Sequence, residues 1–300
     1  MFTVTVAIPA FNEESNISNI LRDLLVQKIK GFAIKKILVV SDGSSDKTVL
    51  KVKQAKSSII ELVEGKQRRG LAFRQNQIFS LTKTDAVLLI QADTRIKDKN
   101  FVQKLISPIL EKKADLTSAK LEELEDQSWI AQTLDWSMKL KKSIYQYINH
   151  GQNVYTCYGP ARAFSKKLYS KMKFKHSVGE DAYSYFFCKK NKMLFLAVDE
   201  AKIYYKLPDK FTDHLNQSLR FSSAKDLLEN EFGNEMVKRE FFLPFSQVIN
   251  QLLKSILKSP HLFVNYLFIT VFVKLVSIIK KESSDLWKIA HTSKLVRGIN

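Results

Sequence analysis

Short apolar runs alternate with segments of helical periodicity along the first third of the chain. The runs cover residues 4–9, 37–40, 59–63 and 87–90, and apolar residues recur at helical spacing over residues 17–25. An uninterrupted apolar run of strand-forming residues is typical of a strand that helices cover on both faces of a sheet. The alternation therefore predicts a doubly wound α/β sheet with right-handed crossovers.

The residues that follow continue this alternation of predicted helices and strands, and the region after them is predicted to be helical. Helices are predicted at residues 71–81, 100–112 and 129–147, and strands at residues 115–119, 155–160, 162–164, 193–198 and 201–206. The helix at 129–147 is amphipathic, which suits either core packing or a surface that meets a membrane or an acceptor. We expect an α/β domain over residues 1–230 and a helical, membrane-associating region over residues 231–300.

The helical tail has two predicted segments before its end. Residues 244–259 are amphipathic, and residues 262–279 are mostly apolar apart from Asn265 and Lys274. As a helix, the apolar segment would be about 27 Å long, close to the roughly 30 Å of hydrocarbon in a bilayer. Three interpretations are open: a helix in the membrane interface, a membrane span, and a packing or dimer helix. Residues 287–300 are an amphipathic ending without an assigned role.

The formal net charge of +18 narrows the expected partners. The lysine-rich stretches lack the interleaved aromatic residues of a nucleic-acid platform, so no nucleic acid is expected. Most lysines suit a solvated surface, and an anionic membrane surface or polyanionic small molecules are the remaining partners. Cys157 and Cys188 form neither a disulfide framework nor a zinc-type spacing, which suits a reducing compartment. The N-terminus lacks a basic region before its apolar residues and is expected to be a strand.

Three polar clusters lie just after predicted strands. They are Phe11-Asn12-Glu13, Ser41-Asp42-Gly43-Ser44 and Gln91-Ala92-Asp93. The carboxyl ends of parallel strands meet at one edge, where ligands bind, so we expect a shared pocket. Asp42 can accept hydrogen bonds from a base or ribose, Arg74 can face phosphates, and Asp93 is the candidate metal ligand. The alternative is that these acids only cap helices or form turns. Neither a dinucleotide-binding glycine motif nor a P-loop motif is present.

Four segments in order carry a family resemblance. They are Ile8-Pro9-Ala10-Phe11-Asn12-Glu13-Glu14, Val39-Val40-Ser41-Asp42-Gly43-Ser44-Ser45-Asp46, residues 70–76 and Gln91-Ala92-Asp93. Together they resemble the nucleotide-sugar-binding half of family 2 glycosyltransferases, which have the GT-A fold. The resemblance implies that Pro9, Phe11, Glu13 and Asp42 surround the nucleoside. It also implies that Asp93 is the last acid of an Asp-x-Asp motif and binds Mg²⁺ or Mn²⁺ at the diphosphate. Gln91 and Ala92 occupy the rest of this motif, where Gln91 replaces an aspartate and adds no charge.

Glu180 and Asp181 place two adjacent carboxylates at the start of a predicted helix, and they form a second candidate site. Their simpler interpretation is stabilisation of a helix dipole. They also resemble the family's Glu-Asp motif, which implies that Asp181 is the general base of an inverting transfer and that Glu180 supports it. Gln217-x-x-Arg220-Phe221 resembles the Gln-x-x-Arg-Trp motif of the synthase-like branch of the family. This makes the three residues candidates for the diphosphate and acceptor sites. Arg220 would hold the diphosphate, and the ring of Phe221, in place of tryptophan, would form the floor of the acceptor site.

The expected function is transfer of a sugar from a nucleotide diphosphate to a hydroxyl of a glycan or lipid-linked glycan. Such a protein of polysaccharide biosynthesis would act at the cytoplasmic face of a membrane, peripherally or with one C-terminal anchor, and could form a homo-oligomer. A catalytically weak nucleotide-sugar-binding partner is one alternative, and a basic surface-binding protein is another. A sugar nucleotidyltransferase would need a glycine-rich loop after the first strand, and Pro9-Ala10-Phe11-Asn12-Glu13 is not one.

Overall fold

The apolar runs form the strands of one mixed, eight-stranded sheet. The computed structural model describes residues 1–222 and 224–279, without the side chains of residues 220–222 and 277–279. The strands are β1 (Phe2–Ala10), β2 (Phe32–Ser41), β3 (Ile60–Glu64), β4 (Ala86–Ile90), β5 (Thr94–Arg95), β6 (Leu116–Glu123), β7 (Ala161–Ser165) and β8 (Phe195–Tyr205). Their order is β3-β2-β1-β4-β7-β6-β8-β5. The first four strands are parallel, whereas β7 runs antiparallel to both of its neighbours.

Helices cover both faces of this sheet. They are α1 (Ile17–Leu25), α2 (Thr48–Gln54), α3 (Leu71–Leu81), α4 (Phe101–Leu110), α5 (Trp129–Tyr145), α6 (Lys166–Tyr169), α7 (Glu180–Lys190), α8 (Phe211–Ser222), α9 (Ala224–Phe232), α10 (Asn234–Glu240), α11 (Phe245–Lys258) and α12 (Pro260–Ile279). In β4, Leu88 belongs to the buried cluster that includes residues of α1 and α4, while its neighbour Leu89 belongs to the cluster that includes residues of α3 and α7. Both faces are therefore buried, as the uninterrupted apolar run predicts.

Two strand predictions in the second half of the chain are wrong. Residues 155–160 do not form a strand, because the Asn153 side chain accepts a hydrogen bond from the Tyr155 amide (3.0 Å) and caps a short 3-10 turn. The Tyr155 ring stacks on Tyr145, with centroids 4.3 Å apart. The two strands predicted at 193–198 and 201–206 are one strand, β8, which pairs with β6 across an irregularity beside Ala119.

The C-terminal helices pack on α5 through an aromatic cluster. The Trp136 ring lies 5.7 Å from the Tyr266 ring, and its indole N–H donates to the Ser255 carbonyl (3.4 Å). Several apolar side chains of α11 and α12 stay exposed, among them Phe245, Leu257 and Phe268. Among the described residues no single helix meets the length and hydropathy of a membrane span, although Phe245–Lys258 and Pro260–Val276, bent by 119°, meet them as a pair. Residues 287–300 of the predicted ending lie outside the described residues.

Candidate active site

The carboxyl ends of the central strands open into a cavity of about 600 Å³. Every site residue predicted from the sequence whose side chain is described lines it: Pro9, Phe11, Glu13, Asp42, Arg74, Gln91, Ala92, Asp93, Glu180, Asp181 and Gln217. Arg220 and Phe221 lie on α8, but their side chains are outside the description. The three acids that come from distant parts of the chain, Asp42, Asp93 and Asp181, thus share one cavity.

Asp42 is buried and organises the loop between β3 and α3. Its carboxylate accepts hydrogen bonds from the amides of Arg69 (2.7 Å) and Gly70 (2.9 Å) and from Nε of Arg74 (2.7 Å). Helix α2, which follows Asp42 in the chain, begins after Lys47, so Asp42 does not cap it. The carboxylate therefore fixes the cavity wall at the end of β2.

The position of Arg74 predicts a cation that faces phosphates, but its guanidinium contacts protein groups instead. Besides the Asp42 pair, its guanidinium donates to the Gln77 side chain (2.8 Å) and to the Gln67 carbonyl (2.8 Å). All three of its nitrogens therefore have protein partners, and the residue is 4% exposed. Arg74 holds the loop that surrounds the cavity, and Asp42 compensates its charge.

Gly65 makes room for Arg74, and we expect Gly65→Ala to lower the free energy of unfolding by about 1 to 3 kcal/mol. A Cβ at this position would lie 2.1 Å from Arg74 Nη2 and 2.6 Å from the backbone oxygen of Ser41. The matched control is Gly159→Ala, because a Cβ there has only ordinary contacts of 3.6 Å. Urea unfolding of both variants measures the difference. Equal stability of the two would contradict this account of Gly65.

The turn after β1 forms the neighbouring wall. Asn12 has a left-handed backbone (φ 51°), and its side-chain oxygen accepts from the Ser45 amide (2.9 Å). The Glu13 amide donates to Thr48 Oγ1 (2.7 Å), so the ends of β1 and β2 are tied together. The guanidinium of Arg68 lies 4.2 Å from the Phe11 ring centroid. Arg68 also lines the cavity, and the sequence analysis did not identify it as a site residue.

Gln91, Glu180 and Asp181 meet at Gly159. Gln91 Nε2, Glu180 Oε1 and Asp181 Oδ2 each lie 3.6 Å from the point where a Cβ of residue 159 would be. The sheet brings them together, since the Gln91 amide donates to the Pro160 carbonyl (2.9 Å) where β4 pairs with β7. The absent side chain at Gly159 leaves the space in which these three polar groups converge.

Asp93 supplies a carboxylate to the cavity that this cluster also lines. A buried ion pair fixes the chain that follows it: Asp23 accepts from Arg95 Nε (2.8 Å) and from the Ile96 amide (3.0 Å). Helix α4 begins after Asn100, so Asp93 is not its cap. Within residues 1–222 and 224–279, no group of three acidic, histidine or cysteine side chains could hold a metal ion by itself. One carboxylate together with phosphate oxygens is nevertheless a common site for Mg²⁺, so Asp93 fits a metal that arrives with a diphosphate.

Arg162 is a buried residue of the site that the sequence analysis took only as part of a strand. Its side chain is fully buried, and Nη1 donates to the Glu180 carbonyl (2.6 Å) and to Ser184 Oγ (2.6 Å). Nη2 lies 3.9 Å from Glu180 Oε1. The thiol of Cys157, whose pKa burial raises above its ordinary range, donates to the Asp181 carbonyl (3.4 Å). These contacts fix the first turn of α7, from which both carboxylates project.

Helices α5, α8 and α12 form one part of the cavity lining. These helices contribute Leu134, Ser137, Met138, Lys141, His214, Gln217, Ser218, Tyr266, Thr270, Val273 and Lys274. Burial, and then the charge of Lys141, lower the pKa of His214 from its ordinary 6.5 to about 4. His214 is therefore neutral at pH 7.

A match to a family model identifies the family of the chain. The model described as Glycosyl transferase family 2 matches residues 5–173, which is more than half of the 300 residues. The chain belongs to glycosyl transferase family 2. This confirms the family resemblance carried by the segments around Phe11, Asp42 and Asp93. No curated protein matches the chain in sequence.

Solved structures confirm the GT-A fold of this family 2 member. Glucosyl-3-phosphoglycerate synthase from Mycobacterium tuberculosis, in complex with Mn²⁺, UDP and phosphoglyceric acid, has a TM-score of 0.58 at 16% identity, covering 77% of this chain and 79% of its own. The mannosyltransferase PcManGT from Pyrobaculum calidifontis, in complex with GDP-Man and Mn²⁺, has a TM-score of 0.64 at 13% identity, with 93% and 86% covered. Residues 1–349 of TarS from S. aureus have a TM-score of 0.56 at 17% identity, with 91% and 81% covered.

We predict that burial of His214 makes this glycosyltransferase less stable in acid. Between pH 6.5 and 4 the unfolded chain protonates His214 and the folded chain does not, so stability falls as the pH falls through this window. At pH 5 this residue should cost about 1 to 2 kcal/mol relative to pH 7. Urea unfolding at both pH values should show a smaller loss for His214→Gln than for wild type. The exposed-histidine control, His150→Gln, should keep the full loss, and an equal loss in all three proteins would contradict the assignment.

Proposed function

We propose that this protein transfers a sugar from a nucleoside diphosphate to an acceptor hydroxyl, with inversion at the anomeric carbon. The supporting observation is that Asp42, Asp93 and Asp181 line the same cavity. The carboxylate of Asp93 can bind a metal ion, and that of Asp181 can act as a general base. The volume of about 600 Å³ is in the range of pockets that enclose ligands of this size. Family membership supports the reaction class.

In the proposed step, the acceptor oxygen attacks the anomeric carbon while Asp181 takes the hydroxyl proton. The bond from that carbon to the β-phosphate oxygen breaks, and its electron pair leaves with the nucleoside diphosphate. One displacement on the face opposite the leaving group inverts the anomeric centre. Glu180 supports the base from the adjacent position, where Arg162 Nη2 lies 3.9 Å from Glu180 Oε1.

Asp93 would hold Mg²⁺ or Mn²⁺ in this reaction. The bound metal would supply positive charge to the diphosphate as it departs. Two relatives are described in complex with Mn²⁺ and a nucleotide, which supports this cofactor for the chain. Because Gln91 adds no charge beside Asp93, we expect the metal to bind together with the nucleotide rather than before it.

A donor screen tests the proposed reaction. Purified full-length protein in detergent, with Mn²⁺, is incubated with a panel of UDP- and GDP-sugars, and release of the free nucleoside diphosphate is measured. Release from at least one donor, lost in Asp181→Asn, is the expected result. Gln91 stands where the family motif has an aspartate, and this favours a second candidate function, a protein that binds the nucleotide sugar without turning it over. Calorimetric binding of a nucleoside diphosphate, with no release across the panel, would support that candidate and contradict the proposed reaction.

We further propose that the protein acts on a glycan or lipid-linked glycan at the cytoplasmic face of a membrane, through its C-terminal helices. Helices α11 and α12 carry exposed apolar side chains: Phe245 is 78% exposed, Leu257 85% and Phe268 64%. Exposed apolar side chains on one side of such helices suit insertion into the interface of a bilayer. The net charge of +18 favours an anionic leaflet.

Vesicle flotation tests this location. The double variant Phe245→Ser, Leu257→Ser should lose most of its binding to anionic vesicles, because it removes two inserted side chains. Leu50→Ser is the control, since Leu50 is 52% exposed on α2. Binding that both variants retain in full would contradict the proposal.

A further inference from the structure

Three lysines of α5 differ in what compensates their charge. Lys139 pairs with Asp135 (2.6 Å), and Lys142 pairs with Glu123 (2.6 Å). Lys141 lies between them in sequence, is half-buried and lines the cavity. Its ammonium forms no ion pair within the part of the chain that the structure describes. A half-buried cation without a protein carboxylate suits an anionic ligand.

Two further helices complete the walls around Lys141. On α8, His214, Gln217 and Ser218 share one face, and Ser218 Oγ lies 3.4 Å from His214 Nε2. On α12, Thr270 and Lys274 are one turn apart and line the same cavity. The part of the cavity that these three helices line thus has two ammonium groups together with amide and hydroxyl donors.

The local charge in this part of the cavity is positive. Among the described lining residues, α5, α8 and α12 contribute no acidic side chain. Lys206, at the end of β8, also lines the cavity but is compensated by Asp209 (2.7 Å) and Asp126 (3.5 Å). His214 is neutral at pH 7 because its pKa is about 4. Lys141 therefore brings to this part of the cavity a positive charge that no carboxylate of the described residues compensates, and Lys274 lines the same part.

We propose that this part of the cavity binds a phosphate group of the acceptor, through Lys141, Lys274 and the polar side chains of α8. The inference rests on the proposed function, since it concerns the acceptor of the proposed transfer. A phosphate has three oxygens that accept several charge-assisted hydrogen bonds, and the two lysines with Gln217 and Ser218 can supply them. The phosphate can belong to a water-soluble acceptor or to a lipid whose apolar part follows α12.

Two phosphate probes separate these sources and need no donor sugar. Full-length protein is titrated with glycerol 3-phosphate by calorimetry and mixed with vesicles of phosphatidylcholine containing phosphatidic acid for flotation. Binding of the soluble probe indicates a water-soluble acceptor, and binding of the vesicles alone indicates a lipid phosphate. Either result supports the phosphate site, provided that it has the lysine dependence given next.

Lys141→Ala and Lys274→Ala should each weaken binding of the favoured probe about tenfold, the effect of losing one charge-assisted contact. Lys139→Ala, on the same helix but outside the cavity, and Lys254→Ala, on α11, should change it less than about twofold. All four variants remove one positive charge, so attraction by net charge alone would weaken all of them equally. Equal weakening, binding insensitive to Lys141→Ala, or no binding of either probe would overturn the proposal. Failure of the donor screen with an intact lysine dependence would instead reject the proposed reaction.

Discussion

Replacing Asp181 with asparagine should reduce sugar transfer by about 10²- to 10⁴-fold, the usual contribution of a positioned general base. An amide cannot take the proton from the acceptor hydroxyl at neutral pH. Asparagine has the size of aspartate, and its side-chain oxygen can still accept from the Ala182 amide, which is 2.7 Å from Asp181 Oδ1. The variant should therefore fold and bind the nucleotide as wild type does.

Initial rates of nucleoside diphosphate release and calorimetry with the nucleotide measure these two effects separately. Asp199→Asn is a matched control, because Asp199 is exposed on β8 and does not line the cavity. It should keep the wild-type rate. A full transfer rate in Asp181→Asn would remove this residue from the role of base.

Replacing Asp93 with asparagine should weaken Mn²⁺-dependent binding of UDP or GDP by about 10²-fold, equivalent to about 3 kcal/mol. Asp93 is the acid that follows β4, and no second carboxylate occupies position 91. The lost charge therefore cannot be replaced by a neighbour in this motif. Calorimetric titration of the nucleotide with and without Mn²⁺ isolates the metal-dependent part. The affinity measured without metal should change little, since the proposed contact between Asp93 and the nucleotide is made through the metal.

The converse variant sharpens this test. Gln91→Asp adds a second carboxylate, and it should increase the affinity for Mn²⁺ in the absence of nucleotide. In wild type, Mn²⁺ alone should bind far more weakly than Mn²⁺ with the nucleotide, because the described residues hold no group of three metal-binding side chains. An Asp93→Asn protein that binds Mn²⁺ and nucleotide as tightly as wild type would contradict the metal assignment.

The strand ends of the nucleotide half could be predicted because local pattern determines them. An apolar run such as 87–90 is typical of a central strand, and the polar residue after such a strand lies at the sheet edge. Asp42, Asp93 and Phe11 reach the cavity for this reason. The order of the motifs then indicated the family, which the match over residues 5–173 confirms.

The remaining features depend on tertiary contacts that no local pattern encodes. Arg162 alternates with apolar residues in β7 and reads as an ordinary strand residue until α7 covers it. Arg74 has the position of a phosphate ligand, but its guanidinium donates hydrogen bonds to Asp42, Gln77 and Gln67. The cavity lining from α12 follows from the docking of Trp136 against Tyr266, which joins helices 130 residues apart in the chain (266 − 136).

The central claim is that Asp42, Asp93 and Asp181 surround one site for a nucleoside diphosphate and its metal ion. A crystal structure of the protein with UDP or GDP and Mn²⁺, with anomalous data collected at the manganese edge, tests it most directly. The account predicts an anomalous peak bound to the Asp93 carboxylate, the nucleoside beside Phe11 and Asp42, and the diphosphate on the path towards Asp181. Manganese without contact to Asp93, or a nucleotide bound outside this cavity, would contradict it.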